Sequence, residues 1–149
     1  PLMLVLENLQ DPGNLGTMMR TAEGAGVTGV LLSRGCVDIY NPKTIRSTMG
    51  SIYRVPFLYT DDLIGDMDKL HEKGIVTYAA HLKGQGFYDE ESYVGPTAFL
   101  IGNEGNGLSD EISEKAKQYI KIPMEGQLES LNAAVAAAIL MYEASRQRR

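Results

Sequence analysis

The residues with most to offer chemically are Asn14 and Arg20 near the start, "GNEGNG" at 102–107, and Ser130 and Asn132 near the end. "GNEGNG" follows the apolar run "TAFLI" and carries more glycine than a simple connection needs. From its composition alone it reads equally as a tight turn or as a loop that lets a ligand approach the backbone. Its order, G-x-x-G-x-G, is not the dinucleotide fingerprint, which is G-x-G-x-x-G after a first strand. There is no G-x-x-x-x-G-K-[ST] phosphate loop and no G-x-S-x-G nucleophile elbow. A receiver-type site is also excluded: Glu7 and Asp11 would serve as its acids, but no lysine follows the fifth strand. His71, His81 and the lone Cys36 have no spacing suited to a metal, so no metal is expected and both histidines read as surface or helix-end residues.

Alternating elements must position these groups. Strands are expected at 2–9, 28–33, 53–59, 75–82, 97–102 and 120–124. Between them, helices are expected at 14–26, from the Asn41-Pro42 start to Gly50, at 61–74, from the Ser109 cap to 119, and at 129–149. The last helix places Leu131, Val135, Ala138 and Tyr142 on one face. Residues 83–96 read as a surface loop, and Pro56 marks its strand as an edge or a bulge. Six strands and five helices predict an α/β fold with a mostly parallel sheet covered on both faces. Ligands bind outside the carboxyl ends of such strands, where "GNEGNG" lies.

At 149 residues the chain makes one domain, and no apolar run is long enough to span a bilayer. One cysteine suits a reducing interior, so a cytoplasmic protein is expected. A net charge of −5 argues against extensive unspecific contact with phosphates, the terminal "RQRR" excepted. The chain opens "PLML" without an initiator Met, which suggests a fragment.

Three segments taken together say more. "DPGNLGTMMRTAEGAG" (11–26), "FLIGNEGNGLSDE" (99–111) and "IPMEGQLESLNAAVAAAILMYEASRQRR" (122–149) resemble, in order and spacing, the three signature motifs of the SpoU/TrmH family, ribose 2′-O-methyltransferases of the SPOUT superfamily. "NPKTIRSTMGSIYRVPF" is similar to the family's segment between its first two motifs. The resemblance implies a C-terminal deep trefoil knot, S-adenosyl-L-methionine as cofactor, a homodimer with the site near the subunit interface, and a structured RNA substrate. Ribosomal RNA comes first and transfer RNA second, with a non-catalytic cofactor- or RNA-binding module as the alternative of another class. Residues 1–149 would be the catalytic domain, an N-terminal RNA-binding domain lying outside the sequence.

Carried onto this chain, the family's cofactor contacts fall on Gly102, Asn103, Gly105, Ile122, Met124 and Leu131. A bare Gly102 would let the chain pass close to the nucleoside, and Ile122 and Leu131 also read as ordinary core residues. The catalytic set falls on Asn14, Arg20, Glu104, Ser130 and Asn132. A guanidinium is practically never neutral, so Arg20 is expected to grip a phosphate and stabilise a developing alkoxide rather than act as a base. Glu104 would accept from Arg20 or orient its loop, and Ser130 is a candidate cap for the last helix. Lys43, Arg46, Arg54, Arg146, Arg148 and Arg149 are candidate phosphate contacts, equally explained as a solvated face. After "SLN" the chain reads "AAVA", where relatives often carry bulkier or hydroxylic residues, and this bears on packing.

Overall fold

The computed structural model describes residues 1–82, 84, 86–128 and 130–149. Lys83 and Gln85, in the segment read as a loop, and Glu129, at the expected start of the last helix, lie outside them.

Five strands build the frame: β1 (Leu2–Leu6), β2 (Gly29–Ser33), β3 (Phe57–Thr60), β4 (Val76–Ala80) and β6 (Thr97–Ile101). Two more, β5 (Gly86–Phe87) and β7 (Gln118–Lys121), extend one edge. The order is β3-β2-β1-β6-β4-β7-β5, with every pair parallel. The sheet therefore has seven strands where six are expected. The seventh, β5, pairs Gly86 with Ile120 and Phe87 with Lys121. A two-residue strand, one residue of which is glycine, carries no readable period, which is why the segment looks like a loop from sequence.

The two central strands, β1 and β6, are the most apolar because both their faces are covered. Alternation divides their side chains between two layers. Leu4, Leu6, Phe99 and Ile101 join Met18 and Met19 of α1 (Pro12–Ala25) and Leu140 and Met141 of α5 (Ala133–Gln147). Val5, Ala98 and Leu100 face Leu63 and Met67 of α3 (Leu63–Glu72) and Ile112 of α4 (Asp110–Lys115). The fifth helix, α2 (Pro42–Thr48), packs on α1 so closely that a Cβ built on Gly16 would stand 2.3 Å from Ser47 Cβ.

Local chemistry sets most boundaries. Asp11 caps α1 by accepting from the Asn14 N–H at 3.0 Å, and Pro12 occupies its first turn, so the helix starts two residues before its expected position. Asn41 and Ser109 cap α2 and α4 as expected. α2 ends at Met49, already left-handed at φ 52°, with Gly50 following at φ 88°. Pro56 lies just before β3, which is an edge strand. α4 stops at Lys115, so Gln118 and Tyr119, expected at a helix end, belong to β7.

α5 corrects two expectations. Its cap is Asn132, whose Oδ1 accepts from the N–H groups of Ala134 at 2.8 Å and Val135 at 3.2 Å; Ser130 does not cap it. Its buried side is Ala134, Ala137, Leu140, Met141 and Ala144, while Val135 and Tyr142 are about half exposed, 48% and 50%. The C-terminal basic run is largely committed to the fold. Arg148 Nε donates to Tyr93 O at 2.8 Å and its Nη2 to Gly95 O at 2.7 Å, and Arg146 pairs with Glu143 at 2.8 Å. Arg54 pairs with Glu23 at 2.5 Å. These three arginines serve the chain itself, leaving Lys43, Arg46 and Arg149 of the expected phosphate contacts without an intramolecular ion pair among the described residues.

Candidate active site

The chain runs from β1 outward to β3, then crosses to the far side of β6, so direction reverses between β1 and β6. The loops leaving these strands face each other at their carboxyl ends, where doubly wound sheets bind ligands. One loop is 7–11 and the other is "GNEGNG".

"GNEGNG" is a tight hairpin. Asn103 and Gly107 exchange main-chain hydrogen bonds of 3.1 and 2.8 Å. Asn103 Oδ1 accepts from the N–H groups of Gly105 and Asn106 at 2.9 and 3.0 Å, and its Nδ2 donates to Asn8 O at 2.8 Å. Gly102 is forced by this geometry. A Cβ there would fall 2.1 Å from Gly107 C and Leu108 N. The position a Cβ would take at Gly102 is occupied by the hairpin's own returning backbone.

Glu104 at the hairpin tip reaches across to the first motif. Its carboxylate accepts from the Gln10 N–H at 3.0 Å and the Asp11 N–H at 2.7 Å. Burial pushes this carboxyl up, but the main-chain N–H donors of Gln10 and Asp11, its own N–H, and the Asn14 side chain together hold it below its usual range. Its partners are therefore Gln10, Asp11 and Asn14, not Arg20. Asn132 Nδ2 in turn donates to Asn14 Oδ1 at 3.2 Å. Hydrogen bonds thus join the 10–14 stretch to residues 104 and 132, which lie 93 to 118 positions further along the sequence.

Because folding lowers the Glu104 pKa, the carboxylate stabilises the fold above its unfolded value near 4.5, and this contribution fades as pH falls through the lower folded value. Glu104→Gln removes one acceptor and the charge. The stability gap between wild type and Glu104→Gln should be largest at neutral pH and should shrink as pH falls below 4.5, as denaturant titration across pH measures. A gap that does not change with pH would show that the ionised carboxylate is not the anchor.

A cavity of about 720 Å³ opens beside the hairpin. Its wall includes Gly102, Asn103, Glu104 and Gly105 from the hairpin, Ile122 and Met124 after β7, and Ser130 and Leu131 before α5. The volume falls in the range of small-molecule pockets, and its floor of Ile101, Ile120 and Leu140 is apolar and buried. Ile122 also packs on the core, so structural and cavity-lining roles coincide there. None of the main-chain hydrogen bonds outside the regular elements involves Met124, Ser130 or Leu131 among the described residues, which leaves polar groups free beside an apolar wall. That combination suits a nucleoside.

All six residues expected at the cofactor thus border one cavity, together with Glu104 and Ser130. Asn14 and Asn132 stand behind its rim. Arg20 does not join them within one chain. It is exposed on α1, six residues and about 9 Å of helix beyond Asn14, with no hydrogen bond or ion pair to the described residues. Sequence reading missed Gln10 and Asp11, whose main chains receive Glu104, and Asn8, which holds Asn103. The "DPG" start was a capping signal for Asp11; main-chain donors leave no side-chain signature. His81, read as a surface residue, lines the cavity and stacks on Tyr119 with ring centres 5.0 Å apart. No group of three or more His, Cys, Asp or Glu side chains able to hold a metal occurs among the described residues, and no described helix is long and apolar enough to cross a membrane.

The hairpin-walled cavity thus lies at the carboxyl ends of β6, β4 and β7 of a parallel sheet, next to the switch point between β1 and β6. The SpoU rRNA Methylase family profile matches residues 1–142, and the chain belongs to that family. It is 41% identical over 140 residues to the 23S rRNA (guanosine(2553)-2′-O)-methyltransferase RlmP of Bacillus subtilis, covering 94% of this chain and 56% of that one. The SpoU methyltransferase AviRb of Streptomyces viridochromogenes superposes with a TM-score of 0.91 at 32% identity, over 99% of this chain and 59% of that one. An AdoMet-bound rRNA methyltransferase of Sinorhizobium meliloti superposes with a TM-score of 0.90 at 35% identity, over 97% of this chain and 56% of its own. The chain spans little more than half the length of these relatives.

Proposed function

We propose that residues 1–149 form the catalytic domain of a cytoplasmic homodimeric enzyme that methylates a ribose 2′-hydroxyl of structured RNA, ribosomal RNA before transfer RNA, from S-adenosyl-L-methionine. The carrying observation is the cavity whose wall brings the second and third motifs together and whose rim is tied to the first by Glu104 and Asn132. Similarity to the AdoMet-bound Sinorhizobium protein and to RlmP supports the cofactor and the 2′-O position. The same reading takes in the trefoil knot, the segment from β7 to α5 passing through the loop that the hairpin helps to close. It also places an RNA-binding domain in the part of the relatives' length that this chain does not span.

When bound, the cofactor supplies an electrophilic methyl group. Ile122, Met124 and Leu131 enclose its base in apolar surface, and the main chains of Met124 and Leu131 offer hydrogen bonds. The hairpin 103–107, locked by Glu104 to residues 10 and 11, keeps the opposite wall fixed and water out. Asn14 and Asn132 hold α1 and α5 in register at the rim.

Arg20 grips the phosphate beside the target ribose and stabilises the alkoxide as it forms. A substrate phosphate or water takes the proton, since a guanidinium cannot. Arg20 reaches the site from a second copy. It lies one turn from Gly24, where a Cβ would come 2.6 Å from the Tyr142 hydroxyl, so it borders the half-exposed Val135–Tyr142 stripe of α5. That small-residue stripe is the dimer surface in this reading.

Calorimetric titration with S-adenosyl-L-methionine, followed by methyl transfer to unmodified ribosomal and transfer RNA transcripts, tests the proposal. Binding at micromolar concentration with transfer to a 2′-hydroxyl is expected. Absence of cofactor binding would overturn the enzyme assignment, and binding without transfer to any RNA would favour a ligand-binding module.

A further inference from the structure

We propose that the exposed surface of Lys43, Arg46, Met49 and Tyr53 is an RNA-docking strip, holding the single-stranded segment next to the target nucleotide. The inference rests on the methyltransferase reading and adds where the substrate lies.

Charge is the first argument. Residues 40–59 contain Lys43, Arg46 and Arg54 and no acidic residue, within a chain of net charge −5. Arg54 is neutralised by Glu23, but Lys43 and Arg46 are exposed and have no hydrogen bond or ion pair through their side chains to the described residues. Three residues apart on α2, they share one side of the helix, opposite the buried Thr44 and Thr48. Free cations on an otherwise acidic protein suit a polyanion.

Exposed apolar surface is the second argument. Tyr53 is 83% exposed and Met49 65%, and both follow the two cations within the same short segment, 43–53. A tyrosine ring so placed offers a base a stacking platform, and the pairing of cations with an exposed ring is how single strands are held without reading sequence. Met49 is left-handed at φ 52°, and this turn carries the chain from α2 to Tyr53.

Position is the third. Thr44 Oγ1 donates to Pro12 O at 3.0 Å, and a Cβ on Gly13 would lie 3.7 Å from Lys43 Cε. Lys43 therefore sits over the first turn of α1, beside the Asp11 and Asn14 that Glu104 and Asn132 engage. From there the strip follows the α1–α2 seam away from the rim. An RNA strand whose target ribose enters the site has this surface as its next support.

The test compares wild type, Lys43→Gln/Arg46→Gln, Tyr53→Ala and a charge-matched control, Lys69→Gln/Lys73→Gln, on the opposite face of the sheet. Each is titrated with S-adenosyl-L-methionine and, at several salt concentrations, with an unmodified large-subunit ribosomal RNA transcript and a short mixed-sequence single-stranded RNA. The Lys43/Arg46 variant should show a log K against log salt slope shallower by about 1.4, from about 0.7 per single-strand contact. Tyr53→Ala should weaken RNA binding about tenfold with its slope unchanged. All variants should bind the cofactor within about twofold of wild type, which also reports intact folding. A Lys43/Arg46 variant whose slope equals that of the α3 control overturns the strip. So does wild type that binds the cofactor but neither RNA. Failure of cofactor binding by wild type instead overturns the underlying enzyme assignment, so the two failures are distinct.

Discussion

A Gly102→Ala chain is expected to lose cofactor affinity by about 5- to 150-fold while its sheet stays folded, because the added Cβ has only backbone to meet. At 2.1 Å from Gly107 C and Leu108 N, no rotamer change relieves the clash. The hairpin must open, and three things depend on its closure: the Asn103–Gly107 pair, the Asx turn of Asn103, and the reach of Glu104 to Gln10 and Asp11. Overpacking of this kind costs roughly 1–3 kcal/mol. For a chain of this size that corresponds to a fall in Tm of roughly 2–12 °C, without unfolding at room temperature. Glycine at 105 provides the comparison, since its nearest neighbour is Asn103 Oδ1 at 3.5 Å and a methyl group fits. Calorimetry on Gly102→Ala and Gly105→Ala, with thermal melts, separates a shaped wall from a merely flexible loop. Equal cofactor affinity in the two variants would refute the argument that close approach within the hairpin builds the wall.

That glycine also shows where sequence stops being informative. "GNEGNG" was legible as a special loop, because few connections need such freedom. Which partner required the absence of a side chain was not, since the ligand and the chain's own return path demand the same residue type. Short-range chemistry transfers best: Asn41, Ser109 and the central strands read correctly because caps and apolar runs act within a few residues. The direction in which α5 faces the core was illegible for the opposite reason. In an alanine-rich helix every face is apolar, so no contrast marks the buried side, and Val135 and Tyr142 point outward. Glu104 was identified as important, yet its partners are main-chain N–H groups of residues 10 and 11, which every non-proline residue carries.

Arg20 raises a different question, answered by mixing two impaired proteins at a cofactor concentration too low to saturate Gly102→Ala. Arg20→Ala should bind S-adenosyl-L-methionine like wild type and lose methyl transfer by about 10²–10³-fold, the scale of removing one preorganised donor from a developing oxyanion. Gly102→Ala keeps Arg20 but damages the cavity. In a two-fold dimer where each cavity is completed by its partner's arginine, co-refolding equal amounts makes half of the dimers mixed, and each mixed dimer has one intact site. Activity should return to about a quarter of wild type. If Arg20 served its own chain's cavity, every site in the mixture would lack one component and nothing would return. The geometry favours the first outcome. Within one chain the guanidinium lies outside the cavity wall, on the helix that meets the half-exposed Tyr142 of α5. A second copy seated there would bring the charge to a ribose held between two subunits. Recovery in the mixture would assign catalysis to the pair of chains, and a mixture as inactive as its components would assign Arg20 to the cavity of its own chain.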